Sequence, residues 1–511
     1  MDLGGFLARN SRRHPQKEAL IFEERRYTYA ELNAAVNSLA NGMKELGIGK
    51  GDKVSIMMQN SDKFVIAYYA ILKLGAVVVP LNYRLAAPEV EYVLNDSDSV
   101  AVILDPEYKG LLRKIRNKLP LLRWCLSSGE EEDFLNWETL LQNYPDQEPG
   151  VAVDLYDDCQ ILYTSGTTGK PKGALFDHLR IMTVGHNVIS TASLTHHDRI
   201  INIAPLYHSA QLDLFLLPGF YVGATHVILK EFHPVKALEA LQNEKITVFF
   251  GVPTMFNFMI QLPNFAQYDL KSLRCCLYGA APMAAETVKK AIEKFGTDQF
   301  YNLCGLTEMG PGGIYLPPEE QIRRAGAAGK AILNTEARLV DDQAQDVAPG
   351  EVGELILRGE TMMKEYYKKP EATAETIKDG WLHTGDLGIM DEEGFITLVD
   401  RKKDMIITGG ENVYSTEVEQ AIFAHPGVLD AAVIGVPHPV WGETVTAVVV
   451  PREGQSLDEG ELIAFLKERL AGYKVPRIVR FTDALPRNAS GKVLKTELRS
   501  TYRDAIKEAG L

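Results

Sequence analysis

The stretch "ILYTSGTTGKPKGALFDH", Ile161–His178, decides how this chain is read. Its apolar run stops abruptly in Thr164–Gly173, ten residues that hold three glycines, four hydroxyls and two lysines. A surface turn needs one glycine, perhaps two. Consecutive backbone N–H groups in a Gly-rich turn form a concave anion nest, and Ser or Thr hydroxyls add further donors to phosphate oxygens. The loop therefore reads as a wrapper for a small polyanion. It is not a Walker loop, which needs Ser or Thr after the lysine: Lys170 is followed by Pro171, which has no N–H to donate.

Outward from that loop, helical segments alternate with short β-branched runs. "TYAELNAAVNSLANGMKELGIGKGDKVSIMMQN", "KFVIAYYAILKLGAVVVPL" and "PVKALEALQNEKITVFFGVP" each pair a helix with a strand. Such alternation predicts doubly wound α/β sheets, whose ligands sit beyond the carboxyl ends of the strands. From about Asn334 the runs shorten ("EARLVD", "GELILRG", "GFITLVD"), which predicts a small antiparallel, β-barrel-like unit. The charge cluster "DRKKDM", Asp400–Met405, is the candidate hinge. Beyond it, Thr416 and Glu419 stand at capping-box spacing before the helix "EVEQAIFAH", and the rest reads as a small α+β domain. The expected organisation is an N-terminal domain over 1–400, a hinge over 401–404 and a mobile C-terminal domain over 405–511.

Bulk properties narrow the chemistry. A chain of 511 residues is too long for one core. The formal charge of −14 argues against a general nucleic-acid binder, because phosphate backbones are held by basic surface. The five cysteines (Cys125, Cys159, Cys275, Cys276, Cys304) show no metal-ligand spacing, and an odd count argues against a disulfide framework. The longest apolar run, Phe64–Leu81, is interrupted by Lys73 and Gly75 and reads as a buried helix and strand, not a membrane span. A soluble, cytoplasmic protein is expected, with a homodimer as the open oligomeric reading.

"YTSGTTGKPKG" resembles the phosphate-loop signature of the adenylate-forming enzymes, the superfamily of acyl-CoA synthetases, non-ribosomal adenylation domains and firefly luciferase. Further strings follow in the family's order. The resemblance makes Thr164, Ser165, Gly166, Thr167, Thr168, Gly169 and Lys172 the grip on ATP's β- and γ-phosphates. "LYGAAP" supplies Gly279, Ala280, Ala281 and Pro282 beside adenine. "YNLCGLTEMG" supplies Thr307 for the α-phosphate and Glu308 for Mg²⁺, a hard oxygen ligand beside a phosphate loop. Cys304 stands where the family usually carries an aromatic residue that stacks on adenine, and Tyr301 is the expected substitute. "GWLHTGDLG" supplies Asp386, whose two oxygens suit a ribose diol, and Arg401 is the second ribose and phosphate contact. By the same resemblance Lys403 is the hinge residue. Gly409 and Gly410 line the coenzyme A tunnel, and Trp441 and Tyr473 match aromatic positions that some relatives place beside coenzyme A. In "LPRNASGKVLKTELR", Lys492 is the catalytic lysine, bridging the substrate carboxylate and the α-phosphate.

The reaction this implies joins a carboxylic acid to ATP, giving an acyl-adenylate and pyrophosphate, and then a thioester with coenzyme A. No general base is expected, because the acid is already ionised at neutral pH. "APLYHSAQLDLFLLPGF" resembles the acyl-pocket wall, with His208 as its gate. Ser209, Ala210, Gly279, Ala280 and the run "GPGGIYL" leave room, and Leu212 and Met309 suit an alkyl chain. Asp213 would repel an anionic tail if it faced the pocket. A medium- or long-chain fatty acid is the first expectation, an aromatic acid of the coumarate or benzoate type the second, and o-succinylbenzoate the third. Transfer to a carrier protein in place of coenzyme A is the alternative from a different class.

Overall fold

The computed structural model describes residues 2–129, 131–164, 170–281, 283, 285–452, 454, 457–487 and 493–503. The chain forms two compact units, Met1–Ala337 with Leu357–Leu382, and Arg338–Ile356 with His383–Leu511.

The larger unit is built on two α/β sheets. One has eight strands, in the order Glu365–Tyr366, Lys172–Asp177, Asp158–Thr164, Val77–Pro80, Lys53–Met57, Ser99–Leu104, Trp124–Ser127, Leu135–Asn136. The other has nine, in the order Lys330–Ala331, Gly313–Leu316, Phe300–Gly305, Cys275–Gly279, Val248–Gly251, Arg199–Asn202, Thr225–Ile228, Glu18–Phe22, Arg25–Thr28. The centre of each sheet is parallel; antiparallel strands close both margins of the nine-stranded sheet and one margin of the eight-stranded sheet, whose other margin, Leu135–Asn136, is parallel. Parallel strands covered by helices on both faces bury both sets of side chains, which is why "VVVP", "SVAVIL" and "CCLYG" read as nearly continuous apolar runs.

The local rules that set these elements are visible in the first helices. Thr28 and Glu31 form a reciprocal capping box at the start of Tyr29–Glu45. Ser61 caps Asp62–Lys73 by accepting from Phe64 N at 3.2 Å. Apart from the half-buried Lys63, that helix and the following strand Val77–Pro80 are buried throughout, as expected of the Phe64–Leu81 run. The lysine in it is buried because its ammonium is paired: Lys73 reaches Glu148 at 2.8 Å, Asn33 at 2.6 Å and Asn37 at 2.7 Å. No helix among the described residues is long and apolar enough to cross a membrane.

Strand Trp381–Met390, which enters the smaller unit at His383, pairs antiparallel with Ile396–Arg401 and sets Asp386 opposite Arg401. The chain then builds a second sheet from Ile406–Thr408, Glu411–Val413, Val428–His438, Gly442–Pro451 and Ile478–Phe481. Helices Ser415–Phe423 and Glu459–Lys467 cover it through Val418, Ile422, Leu462 and Leu466. The expected Thr416/Glu419 capping box is absent. The residue preceding the helix is Tyr414, whose side chain caps nothing. The Thr416 hydroxyl donates to Val399 O, and the Glu419 carboxylate accepts from Val433 N at 2.8 Å. Both side chains have found stronger tertiary partners than the local ones.

Candidate active site

Strand Asp158–Thr164 pairs antiparallel with Lys172–Asp177, with Thr164 opposite Lys172. The anion loop therefore closes a β-hairpin, not the strand-to-helix turn of a doubly wound sheet. It still lies at a carboxyl end, because Asp158–Thr164 runs parallel to Val77–Pro80 on its other edge. Gly173 lets the hairpin close: a Cβ there would stand 2.5 Å from the Ile161 side chain and 3.0 Å from the Tyr163 ring. Ser165, Gly166, Thr167, Thr168 and Gly169 lie outside the described residues. The Lys172 ammonium stands 5.0 Å over the ring of Tyr366.

Three segments distant in sequence meet at Thr307–Met309, a single 3₁₀ turn after strand Phe300–Gly305. Gly305 permits the reversal, since a Cβ would strike the carbonyls of Pro311 and Gly312 at 2.3 and 2.4 Å. Glu308 is held at both ends: its carbonyl accepts from Met363 N at 2.8 Å, and its Oε1 accepts from the Tyr366 hydroxyl at 2.7 Å. Thr307 Oγ1 lies 3.2 Å from the buried Ser209 Oγ, which brings the His208 segment to the same place. His208 starts the short helix Ser209–Gln211, and its Nδ1 accepts from Ala210 N at 3.3 Å. Burial lowers its pKa below the ordinary 6.5, so the ring is neutral near pH 7 with its proton on Nε2. The role of Tyr366 was not legible in sequence. The signal was two adjacent tyrosines in an otherwise polar string, "KEYYKKPEAT".

At the adenine segment, Gly279 ends strand Cys275–Gly279, and a Cβ there would lie 2.3 Å from Leu303 O. Ala280 follows with φ +66°, the left-handed region that L residues rarely adopt. Strain of this kind is kept where the surroundings over-determine it, often at a functional site. Ala280 and Ala281 are exposed, and Pro282 lies outside the described residues. Cys304 is half-buried on strand Phe300–Gly305, opposite Ile314. Tyr301 is three positions away on that strand and so projects from the opposite face, where it packs with Leu303 and Cys275. Strand parity removes it as a substitute for Cys304.

Asp213 does not face solvent. It lies fully buried on the π-helical turn Leu212–Leu216, and both its oxygens accept from Gln160 Nε2 at 3.1 Å. Gln160 Oε1 in turn accepts from the Tyr68 hydroxyl at 2.6 Å. Burial pushes the Asp213 carboxyl up to about 7. Leu212 and Met309 are fully buried.

In the smaller unit, Arg401 Nε meets Asp386 Oδ1 at 3.0 Å. Asp386 is held there by its own N–H, which donates to the Thr384 hydroxyl at 3.0 Å. Lys403 is exposed, and partial desolvation of its ammonium lowers its pKa from the ordinary 10.5. Gly409 and Gly410, with φ +61° and +86°, are the two turn residues of the hairpin that pairs Thr408 with Glu411. A two-residue hairpin of this twist needs positive φ at both positions, so the turn itself demands glycine. A Cβ on Gly409 would also lie 2.9 Å from the Trp441 ring, which is itself 42% exposed and carries the Arg477 guanidinium at 4.6 Å. Lys492 lies outside the described residues. Its flanks form a hairpin stem, with Arg487 paired to Val493 and Leu494 N donating to Pro486 O at 2.8 Å.

Residues 7–367 match the AMP-binding enzyme family, and residues 417–492 match the AMP-binding enzyme C-terminal domain. The chain belongs to the AMP-binding enzyme family. It is an AMP-forming acid–thiol ligase of the adenylate-forming superfamily. It is 39% identical over 500 residues to a feruloyl-CoA synthase of Amycolatopsis sp, covering 98% of this chain and 99% of that one. It is 36% identical over 511 residues to the long-chain-fatty-acid–CoA ligase FadD13 of Mycobacterium tuberculosis, covering 99% of each. Among solved structures, the anthranilate CoA ligase AuaEII in complex with anthranoyl-AMP superposes with a TM-score of 0.92 at 29% identity, over 99% of this chain and 98% of that one.

Proposed function

We propose that this protein converts a monocarboxylic acid with an apolar body, ATP and coenzyme A into an acyl-CoA, AMP and pyrophosphate. The observation that carries the reading is the convergence of His208–Ser209, Thr307–Glu308 and Tyr366 around one turn. In the first half-reaction the substrate carboxylate attacks the α-phosphorus and pyrophosphate leaves. The loop Thr164–Gly173 with Lys172 holds the β- and γ-phosphates, and Thr307 donates to the α-phosphate. Asp386 and Arg401 hold the ribose, and Lys492 offsets the charge where carboxylate meets phosphate. Glu308 fits Mg²⁺: one oxygen is taken by Tyr366, and the other is a hard ligand. One carboxylate with phosphate oxygens and water is a common Mg²⁺ donor set. Bound there, the ion supplies positive charge to the phosphate oxygens. In the second half-reaction residues 405–511 turn about Lys403, Lys492 withdraws, and Gly409, Gly410 and Trp441 face coenzyme A. A cytoplasmic site of action belongs to the same proposal.

A fatty acid is the first acid we propose, and an aromatic acid stands on equal footing because a feruloyl-CoA synthase is the relative at 39% identity. Asp213 is fully buried with both oxygens taken up by Gln160, so its carboxyl is occupied by a protein partner in either case. The test is one competition assay. Purified protein, MgATP and pooled acids (short to long alkyl, cinnamate-like, benzoate-like, o-succinylbenzoate) are mixed with and without coenzyme A, and products are read by mass spectrometry. Acyl-CoA appearing with AMP is the expected result, and the dominant thioester names the acid. Acyl-adenylate that accumulates with coenzyme A present would overturn the second half-reaction in favour of a carrier-protein acceptor.

A further inference from the structure

The helix Ser415–Phe423 lacks a cap of its own, and a residue fifteen positions upstream supplies one. Ser415 N donates to Asp400 Oδ2, and Ser415 Oγ donates to Asp400 Oδ1 at 2.9 Å. A carboxylate that takes an orphan N–H at a helix start satisfies it and complements the helix dipole. Asp400 is only 6% exposed, and its carboxyl is raised mainly by burial. Lys495 answers that burial. Its ammonium donates to the same Ser415 Oγ at 2.6 Å and pairs with Glu419 at 2.7 Å. Glu419 is likewise raised by burial, and the Lys495 charge opposes the rise in both carboxyls. One turn further along the helix Lys495–Thr501, Arg499 pairs with Asp404 at 2.8 Å.

These bonds divide at Lys403. Lys495–Glu419 and Arg499–Asp404 lie wholly after it in the chain. The bonds from Ser415 to Asp400 and from Thr416 to Val399 O span it. Asp400 adjoins Arg401, which contacts Asp386, while Lys495 is three residues past Lys492 and leaves the same hairpin stem. A turn about Lys403 therefore breaks the spanning set and carries the other set along.

We propose that Asp400, Ser415 and Lys495 form a latch across the hinge, which holds the Lys492 hairpin in register with Arg401 for adenylation and must open before the thioester step. The proposal rests on the reading of Lys492 and Lys403 given above. The chemistry sets its direction: Arg401 and Lys492 must serve one ATP together in the first half-reaction, and Lys492 must leave before the second. Ser415 and Lys495 are positioning residues, because neither is assigned a contact with substrate.

The test measures both half-reactions, adenylation by acid-dependent pyrophosphate exchange and thioester formation from supplied acyl-adenylate and coenzyme A. Lys495→Met and Ser415→Ala are each expected to slow adenylation at least tenfold while thioester formation changes less than twofold. Lys495→Arg is expected to restore most of the adenylation rate. Equal losses in both steps, or no loss in adenylation, would overturn the latch. Ser415→Ala removes a small buried hydroxyl and decides the matter if Lys495→Met does not fold. Lys492→Ala is run alongside. If it loses adenylation while the latch variants do not separate the two steps, the latch alone is wrong. If it keeps adenylation, the catalytic assignment falls and the latch with it.

Discussion

Asp213→Asn should make the protein more stable at alkaline pH and remove part of its pH dependence. The carboxyl is fully buried, and burial moves it from its ordinary 3.8 to about 7. The native state then holds a proton that the unfolded chain has released over about three pH units. Stability falls with pH wherever the folded state binds more protons, at about 1.4 kcal/mol per unit. This group's contribution is therefore fully present below pH 4, fades as pH rises, and is gone above about pH 7, a total of about 4 kcal/mol. The side chains around it do not titrate in that window: Gln160 is neutral, and burial pushes the Tyr68 hydroxyl and the Cys159 thiol well up, with the Asp213 charge adding to the rise. Asparagine keeps an oxygen for Gln160 Nε2 but has an extra N–H to place and forgoes a bond to a charged acceptor, a loss of about 1.5 kcal/mol. The net gain at pH 8 should be about 2–3 kcal/mol, shrinking to nothing or reversing slightly at pH 5. Calorimetric unfolding of wild type and variant from pH 5 to pH 8 reads this directly, from the transition of the larger unit. A difference in melting temperature that is the same at both ends of the range would refute the reasoning.

Tyr366→Phe removes the 2.7 Å bond to Glu308 and should slow adenylation by about 10- to 100-fold, the range for a hydrogen bond to a charged group. Thioester formation from supplied acyl-adenylate should change little, and parallel losses in both half-reactions would argue that the ring only packs. Gly312→Leu should fold, because the nearest heavy atoms to a Cβ there are 4.0 Å away, and should shift acid preference toward smaller substrates in the pooled assay. By contrast, Gly310→Ala meets Val184 at 2.6 Å and the Thr361 carbonyl at 2.7 Å with φ at +62°, so a lowered melting temperature is its expected readout.

Much of this protein is determined locally. Helix–strand alternation foretold the two parallel-centred sheets, because a strand covered on both faces must be apolar throughout. The buried helix Asp62–Lys73 and its following strand were legible from one apolar run. The glycines and hydroxyls of Thr164–Gly173 announced an anion site because backbone chemistry, not long-range packing, makes a nest. The failures are of another kind. Capping-box spacing pointed to Thr416 and Glu419, but the cap came from Asp400, since a buried carboxylate pressed against a helix start outcompetes a local hydroxyl. Tyr301 was ruled out as a stand-in for Cys304 by strand parity, which needs the strand's bounds. Asp213 read as a threat to an acyl tail until the fold supplied Gln160, fifty-three positions away. The sequence by itself determined which chemical groups this protein carries and the alternation of helix and strand along the chain. Only the tertiary structure decided their partners, because hydrogen bonds and ion pairs between distant segments form through proximity that no local spacing encodes.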